Sequence, residues 1–113
     1  MAIAAAAAIE RHPHLAQHTP AGFVRVDMHS HTMFSGDSTT TLDEIAESVV
    51  EAGIDVLCVT DHNAIEGALR LQRALEGDGV CRVVVGEEVR THTGEIIGLF
   101  LSERIPFGAP AAE

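Results

Sequence analysis

The sequence predicts an α/β fold built on a parallel sheet or part of a barrel. Three observations carry that reading. Short apolar runs alternate with capped amphipathic stretches in the order strand, helix, strand, helix, strand, strand, the pattern of β/α units joined by right-handed crossovers. The run "DVLCVTD" is apolar almost without interruption, as a parallel strand covered on both faces requires. The titratable polar residues gather just after the strand ends, where ligands collect in such folds.

Taken in order, residues 1–22 read as an extension. An alanine-rich, helix-prone piece leads into "RHPHLAQHTPAG", where His12, His14 and His18 flank prolines with no helical or strand period and fit a solvated tail. The regular pattern starts at Phe23. "FVRVDMH" is a short strand with Val24, Val26 and Met28 on one face and Arg25, Asp27 and His29 on the other. "SGDSTT" is a loop. "TLDEIAESVVEAG" is a helix: Thr41 and Glu44 form a capping box, Leu42, Ile45, Ala46, Val49 and Val50 make an apolar stripe, and Gly53 stops it. Its acids Asp43, Glu44, Glu47 and Glu51 are its solvated face. "DVLCVTD" is the second strand. Asn63 with Glu66 opens a second helix running to about Leu75, and "GDG" ends it. "VCRVVVGEEV" is the third strand, and "THTG" turns into "EIIGLFL", the fourth. Residues 107–113 are a C-terminal tail.

Composition narrows the function. A chain of 113 residues is one domain at most, and it buries roughly two-thirds of its unfolded surface. Its 46% hydrophobic and 21% charged content is that of an ordinary globular protein. A formal charge of −10 with only seven scattered Lys and Arg argues against a broad nucleic-acid or anionic-membrane surface. Phosphorylated substrates stay compatible when bound cations reverse the local sign. Cys58 and Cys81 sit in apolar runs and read as reduced core thiols rather than a disulfide framework. "MAIAAAAAIE" lacks the positive start and strong apolar segment of a signal peptide. No stretch approaches the ~20 apolar residues of a membrane span. A cytoplasmic protein is expected.

The chemistry concentrates in "VDMHSHTMFSGDS", which places Asp27, His29, His31 and Asp37 within thirteen residues. Side chains repeat every two residues along a strand, so Asp27, His29 and His31 face one side if the strand runs on, and imidazoles about 7 Å apart along the backbone can converge on one divalent ion. Asp37 returns from the loop. Asp61 and His62 follow the second strand and Glu88 the third, so three strand ends bring carboxylates and imidazoles to one rim. The adjacent Asp61 and His62 should diverge, one holding the core of the site while the other reaches a second ion. This ligand mixture favours zinc, manganese or iron over calcium or magnesium, and grouped ions suit hydrolysis of a phosphate ester. Blander alternatives are a loop cap for Asp37, a surface pair for Glu87 and Glu88, and a solvated turn for His92.

These motifs, "DMHSHTMFSGDS", "VTDHN" and "GEEV" followed by "GEIIGLFL", resemble the N-terminal part of the PHP domain, the polymerase and histidinol phosphatase family of metal-dependent phosphoesterases. The resemblance runs from Val24 to about Pro106. It implies that residues 23–106 are the N-terminal part of a PHP-like domain, about four strands of a distorted seven-stranded β/α barrel. It implies a cluster of up to three ions: His29 and His31 on the first, Glu88 bridging the first and second, Asp37 and His62 on the third. Asp27 and Asp61 would serve the catalytic machinery as orienting groups. The implied activity is attack of a metal-bound hydroxide on a phosphomonoester or phosphodiester, with a small phosphorylated metabolite or nucleotide as substrate. Two departures stand out. The later histidines and C-terminal D-x-H of the family are absent, since only His92 follows His62, and Glu95 stands where many relatives begin the fourth strand with His. A partial barrel should expose apolar surface at its last strand and flanks, which a homodimer would cover. The alternatives are a polymerase-associated nuclease or proofreading module and a non-catalytic metal-binding fragment.

Overall fold

In a computed structural model that describes residues 21–106, strands β1 (Val26–Ser30), β2 (Val56–Val59) and β3 (Arg82–Val85) form a parallel sheet in that order. Strands β4 (Glu87–Thr91) and β5 (Gly94–Gly98) form an antiparallel hairpin. Helix α1 (Leu42–Ala52) joins β1 to β2, and helix α2 (Glu66–Leu71) joins β2 to β3 after passing directly into a π-helical turn, Gln72–Glu76. The expected α/β class is therefore present, and the described residues do not close a barrel. The expected extension up to residue 20 and the tail from residue 107 lie outside the described residues. No described helix is long and apolar enough to cross a membrane.

Helix α1 follows from its ends. The Thr41 side chain accepts the Glu44 N–H, the Glu44 side chain reaches back to the Thr41 N–H, and Gly53 closes the helix in the left-handed region at φ 67°. Its stripe of Leu42, Ile45, Ala46, Val49 and Val50 is buried. Leu57 and Val59 of β2 and Val83 and Val85 of β3 pack with most of that stripe and with Ala68, Leu71 and Leu75 in one core. Alternation along the strands leaves Cys58 and Val84, also buried, for the opposite face. Both cysteines are free and buried.

Two boundaries differ from expectation. Asn63 does not cap the second helix: it takes a left-handed φ of 55°, a conformation Asn tolerates, and its N–H donates to the Glu88 carbonyl at 3.3 Å. The helix begins three residues later at Glu66, with no side-chain cap. The run "VCRVVVGEEV" is two strands rather than one. At Gly86 a Cβ would lie 2.8 Å from the Gly98 carbonyl oxygen, so the crossing of the two strand systems needs a residue without a side chain. The chain leaves the parallel sheet there and starts the hairpin.

Candidate metal centre

Parallel strands deliver the site residues to one rim. The Thr60 N–H donates to the Ser30 carbonyl at 2.8 Å, the Gly86 N–H to Val59 at 2.9 Å, and the Glu88 N–H to Asp61 at 3.0 Å. A further parallel bridge pairs His62 with Glu88 beyond the named strands. Each bond carries the sheet past its C-terminal edge and sets His62 beside Glu88. On the other side β1 is irregular. Its register with β2 shifts between Asp27 and Ser30, a bulge that re-aims side chains. The two-residue period therefore does not run unbroken from Asp27 to His31. Asp27 instead turns back, its Oδ1 accepting the His29 N–H at 3.0 Å.

His29 and His31 converge. Their Nε2 atoms lie 3.0 Å apart, and Glu88 Oε1 lies 2.9 Å from the first and 3.1 Å from the second. A carboxylate brings no hydrogen, and neutral imidazoles bring at most one each. Ligand atoms around a tetrahedral zinc ion, each about 2.0–2.1 Å from it, lie about 3.3 Å apart. The donor triangle matches that edge length, so the residues present fit a divalent cation.

A second group lies alongside. His62 Nε2 is 3.2 Å from Asp37 Oδ2 and 3.8 Å from Glu88 Oε1, while His62 Nδ1 is 3.1 Å from Glu95 Oε2. His31 Nδ1 is 3.4 Å from Asp37 Oδ1. Three overlapping trios thus offer ligand atoms within 4.8 Å of one another: His29, His31 and Glu88; His31, Asp37 and His62; His62, Glu88 and Glu95. His31, His62 and Glu88 each serve two of them.

Two of these carboxyls are held below their usual range. The Ser35 hydroxyl, opposed by partial burial and helped by the charges of His31 and His62, holds the Asp37 carboxyl below its usual range. Burial pushes Glu88 up, yet the hydrogen bond from His29 and the charges of His62 and His29 leave it lowered. Both carboxyls are thereby kept ionised, as ligands must be.

Asp61 takes the supporting side of the divergence. It is 1% exposed. Its Oδ1 accepts the Thr32 N–H at 2.5 Å and its Oδ2 the Thr32 hydroxyl at 2.6 Å, and the same Thr32 oxygen accepts the Phe34 N–H at 3.0 Å. Asp61 therefore pins the loop that carries Ser35 and Asp37. Glu87, completely buried, points away from the rim and accepts the Ile105 N–H at 2.8 Å.

Of the residues predicted from sequence, His29, His31, Asp37, His62 and Glu88 come together. Asp27 and Asp61 touch backbone and loop instead. His92 lies exposed in the β4–β5 turn, outside the three trios. Sequence reasoning missed Thr32, whose partner Asp61 is 29 residues away, and Ser35, which joins His31 and Asp37 to the backbone of His62. Glu95, the carboxylate standing where many relatives carry a histidine, lies in a trio.

The family model described as PHP domain matches residues 27–105. An uncharacterized protein of Methanocaldococcus jannaschii is 38% identical over 100 residues, covering 80% of this chain and 58% of that protein. A Vibrio campbellii protein named "Probable phosphatase" is 37% identical over 78 residues, 60% of this chain and 31% of that protein. A Thermotoga maritima protein named "Probable histidinol-phosphatase" is 42% identical over 41 residues, 36% of this chain and 18% of that protein. The chain spans just over half the length of the first of these and about a third of the second.

Proposed function

This chain belongs to the PHP domain family, and on that premise we propose that its rim is the metal centre of a phosphoesterase, carried on the first part of a PHP-type β/α barrel. The observation that supports this most is the convergence of His29 Nε2, His31 Nε2 and Glu88 Oε1 within 2.9–3.1 Å. In this reading His29 and His31 would hold one ion, Glu88 would be shared with a second, and Asp37 and His62 would hold a third. The imidazole–carboxylate mixture suits zinc, manganese or iron. Bound ions would supply positive charge for phosphate oxygens and lower the pKa of an attacking water.

The chain's own residues do the positioning. Asp27 fixes the His29 backbone, Asp61 fixes the Thr32–Asp37 loop, and Glu88 and Asp37 stay ionised at neutral pH. His29 has a half-exposed side chain, so a small substrate reaches the rim from solvent. A small phosphorylated metabolite or nucleotide suits a chain of charge −10 better than nucleic acid does, because the only strong phosphate attraction is then local to the ions.

The test is the metal content of the purified chain before and after dialysis against a weak chelator, with phosphate release from a small phosphomonoester measured alongside. Two or more retained ions, lost in His29→Ala/His31→Ala, and metal-dependent release are expected. A chain that holds no ion and releases no phosphate with added Zn(II) or Mn(II) would sink the reading.

A further inference from the structure

We propose that the buried Ser35 hydroxyl fixes the tautomer of His31, so that this ring presents its Nε2 lone pair to His29 and Glu88. Ser35 is thus a positioning residue, and the inference rests on the reading of His31 as a metal ligand.

The argument is a count of hydrogens. Ser35 Oγ has three polar neighbours: Asp37 Oδ1 at 2.6 Å, His31 Nδ1 at 3.0 Å and the His62 backbone nitrogen at 3.1 Å. A hydroxyl has one hydrogen and two lone pairs. The His62 N–H can only donate, so it takes one lone pair. Asp37, an ionised carboxylate, can only accept, so it takes the hydrogen. The remaining lone pair faces His31 Nδ1, and that contact is a hydrogen bond only if Nδ1 carries a hydrogen. A neutral imidazole protonated at Nδ1 has a bare Nε2. That bare nitrogen is the atom lying 3.0 Å from His29 Nε2 and 3.1 Å from Glu88 Oε1.

At the other end of the ring the bare Nε2 can accept the His29 Nε2 hydrogen, 3.0 Å away, whereas the opposite tautomer fails the count at Ser35. With Nδ1 bare, the single hydroxyl hydrogen would have to serve both His31 and Asp37, leaving either two lone pairs or two oxygens facing each other. Ser35 is only 3% exposed, which leaves little room for water to relieve the mismatch. The turn that places the hydroxyl is itself bonded: the Ser35 N–H donates to the Thr32 carbonyl at 2.9 Å, and Thr32 is held by Asp61. Asp61 therefore acts on His31 through Thr32 and Ser35. Ligating histidines generally donate their other N–H to an orienting oxygen; here that oxygen is a serine's, and it also grips Asp37 of the neighbouring trio.

Long-range ring ¹⁵N spectra of the metal-free chain, above the histidine titration range, read the tautomer directly. The parent is expected to show a pyrrole-like Nδ1 and a pyridine-like Nε2 at His31. In Ser35→Ala the Nε2–H form should become the majority, and Ser35→Thr, which keeps the hydroxyl, should restore the parent form. Zn(II) affinity, measured by chelator competition, should fall about 10–100-fold in Ser35→Ala and recover in Ser35→Thr. An Nε2–H tautomer in the parent overturns the proposal, and so does a Ser35→Ala spectrum unchanged from the parent. The parent spectrum decides even if Ser35→Ala does not fold. A parent that shows the Nδ1–H form but binds no Zn(II) sinks the metal-centre reading alone.

Discussion

At the scale of single residues, the two ionised ligands Glu88 and Asp37 link the site to folding. Both carboxyls are lowered in the folded chain. Their contribution to stability is fully present above the unfolded carboxylate pKa and is lost as pH falls through the lower folded value. Melting of the chelated chain should therefore weaken as the pH is lowered below about 4–5. Glu88→Gln should melt lower than the parent at pH 7, and the gap should close toward pH 3. A gap constant across that range would show that Glu88 contributes packing rather than charge. Asp61 gives a sharper residue test. Asp61→Ala leaves the buried Thr32 N–H without its acceptor, at a cost of about 1–3 kcal/mol, and should weaken Zn(II) binding although Asp61 lies in no trio. What was legible in the sequence at this scale divides by chemistry. Histidines and acids grouped after strands point to cation binding by residue type alone. Ser35 and Thr32 do not, because hydroxyls occur everywhere: Thr32 matters through Asp61, 29 residues away, and Ser35 through the fold that sets its one hydroxyl between His31, Asp37 and the distant His62.

At the scale of elements, helix α2 is fitted to the site by Gly67. A Cβ on Gly67 would lie 2.5 Å from Thr32 Oγ1 and 2.8 Å from Asp61 Oδ2, so the helix can approach this hydrogen-bonded pair only without a side chain. Gly67→Ala should therefore destabilise by about 1–3 kcal/mol, although alanine is the better helix former, and should lower Zn(II) affinity with it. A stabilised Gly67→Ala chain with parent affinity would mean that the contact is slack. The π-helical turn has its own task. Gln72 Nε2 donates to the Val83 carbonyl at 3.1 Å, and the Val83 N–H donates to Glu76 Oε2 at 3.2 Å. These side chains cover the backbone of the outer edge of β3, a common protection against unwanted strand pairing. Helix α1 was fully legible because its capping box, stripe and terminal glycine are local signals. The start of α2 and the division between β3 and β4 were not, because Asn63 and Gly86 answer to contacts with Glu88 and Gly98 from distant segments.

At the scale of the whole molecule, the opposite edge of the sheet exposes apolar side chains. Val24, Val26 and Met28, the apolar face expected for β1, are 69%, 46% and 64% exposed, and Phe23 beside them is 73% exposed, so among the described residues that face is uncovered. Strand β5 likewise exposes Ile96 and Ile97. Under the metal-centre proposal, bound ions would add to what holds the rim together. The trios draw on β1, the following loop, the end of β2, β4 and β5, and each bound ion would tie several of these elements together at one point. Zn(II) at 100 times its dissociation constant adds about 2.7 kcal/mol per site, which in a domain this small raises Tm by about 10–20 °C. The chelated parent should show that rise on adding Zn(II), and His29→Ala/His31→Ala should lose most of it. The histidine-rich extension supplies the control, since His12, His14 and His18 are further candidate ligands that lie outside the described residues. A rise that survives loss of His29 and His31 but vanishes when those three are replaced by alanine would assign the effect to the extension. A rise that depends on His29 and His31 alone would mean that the rim closes around its ions.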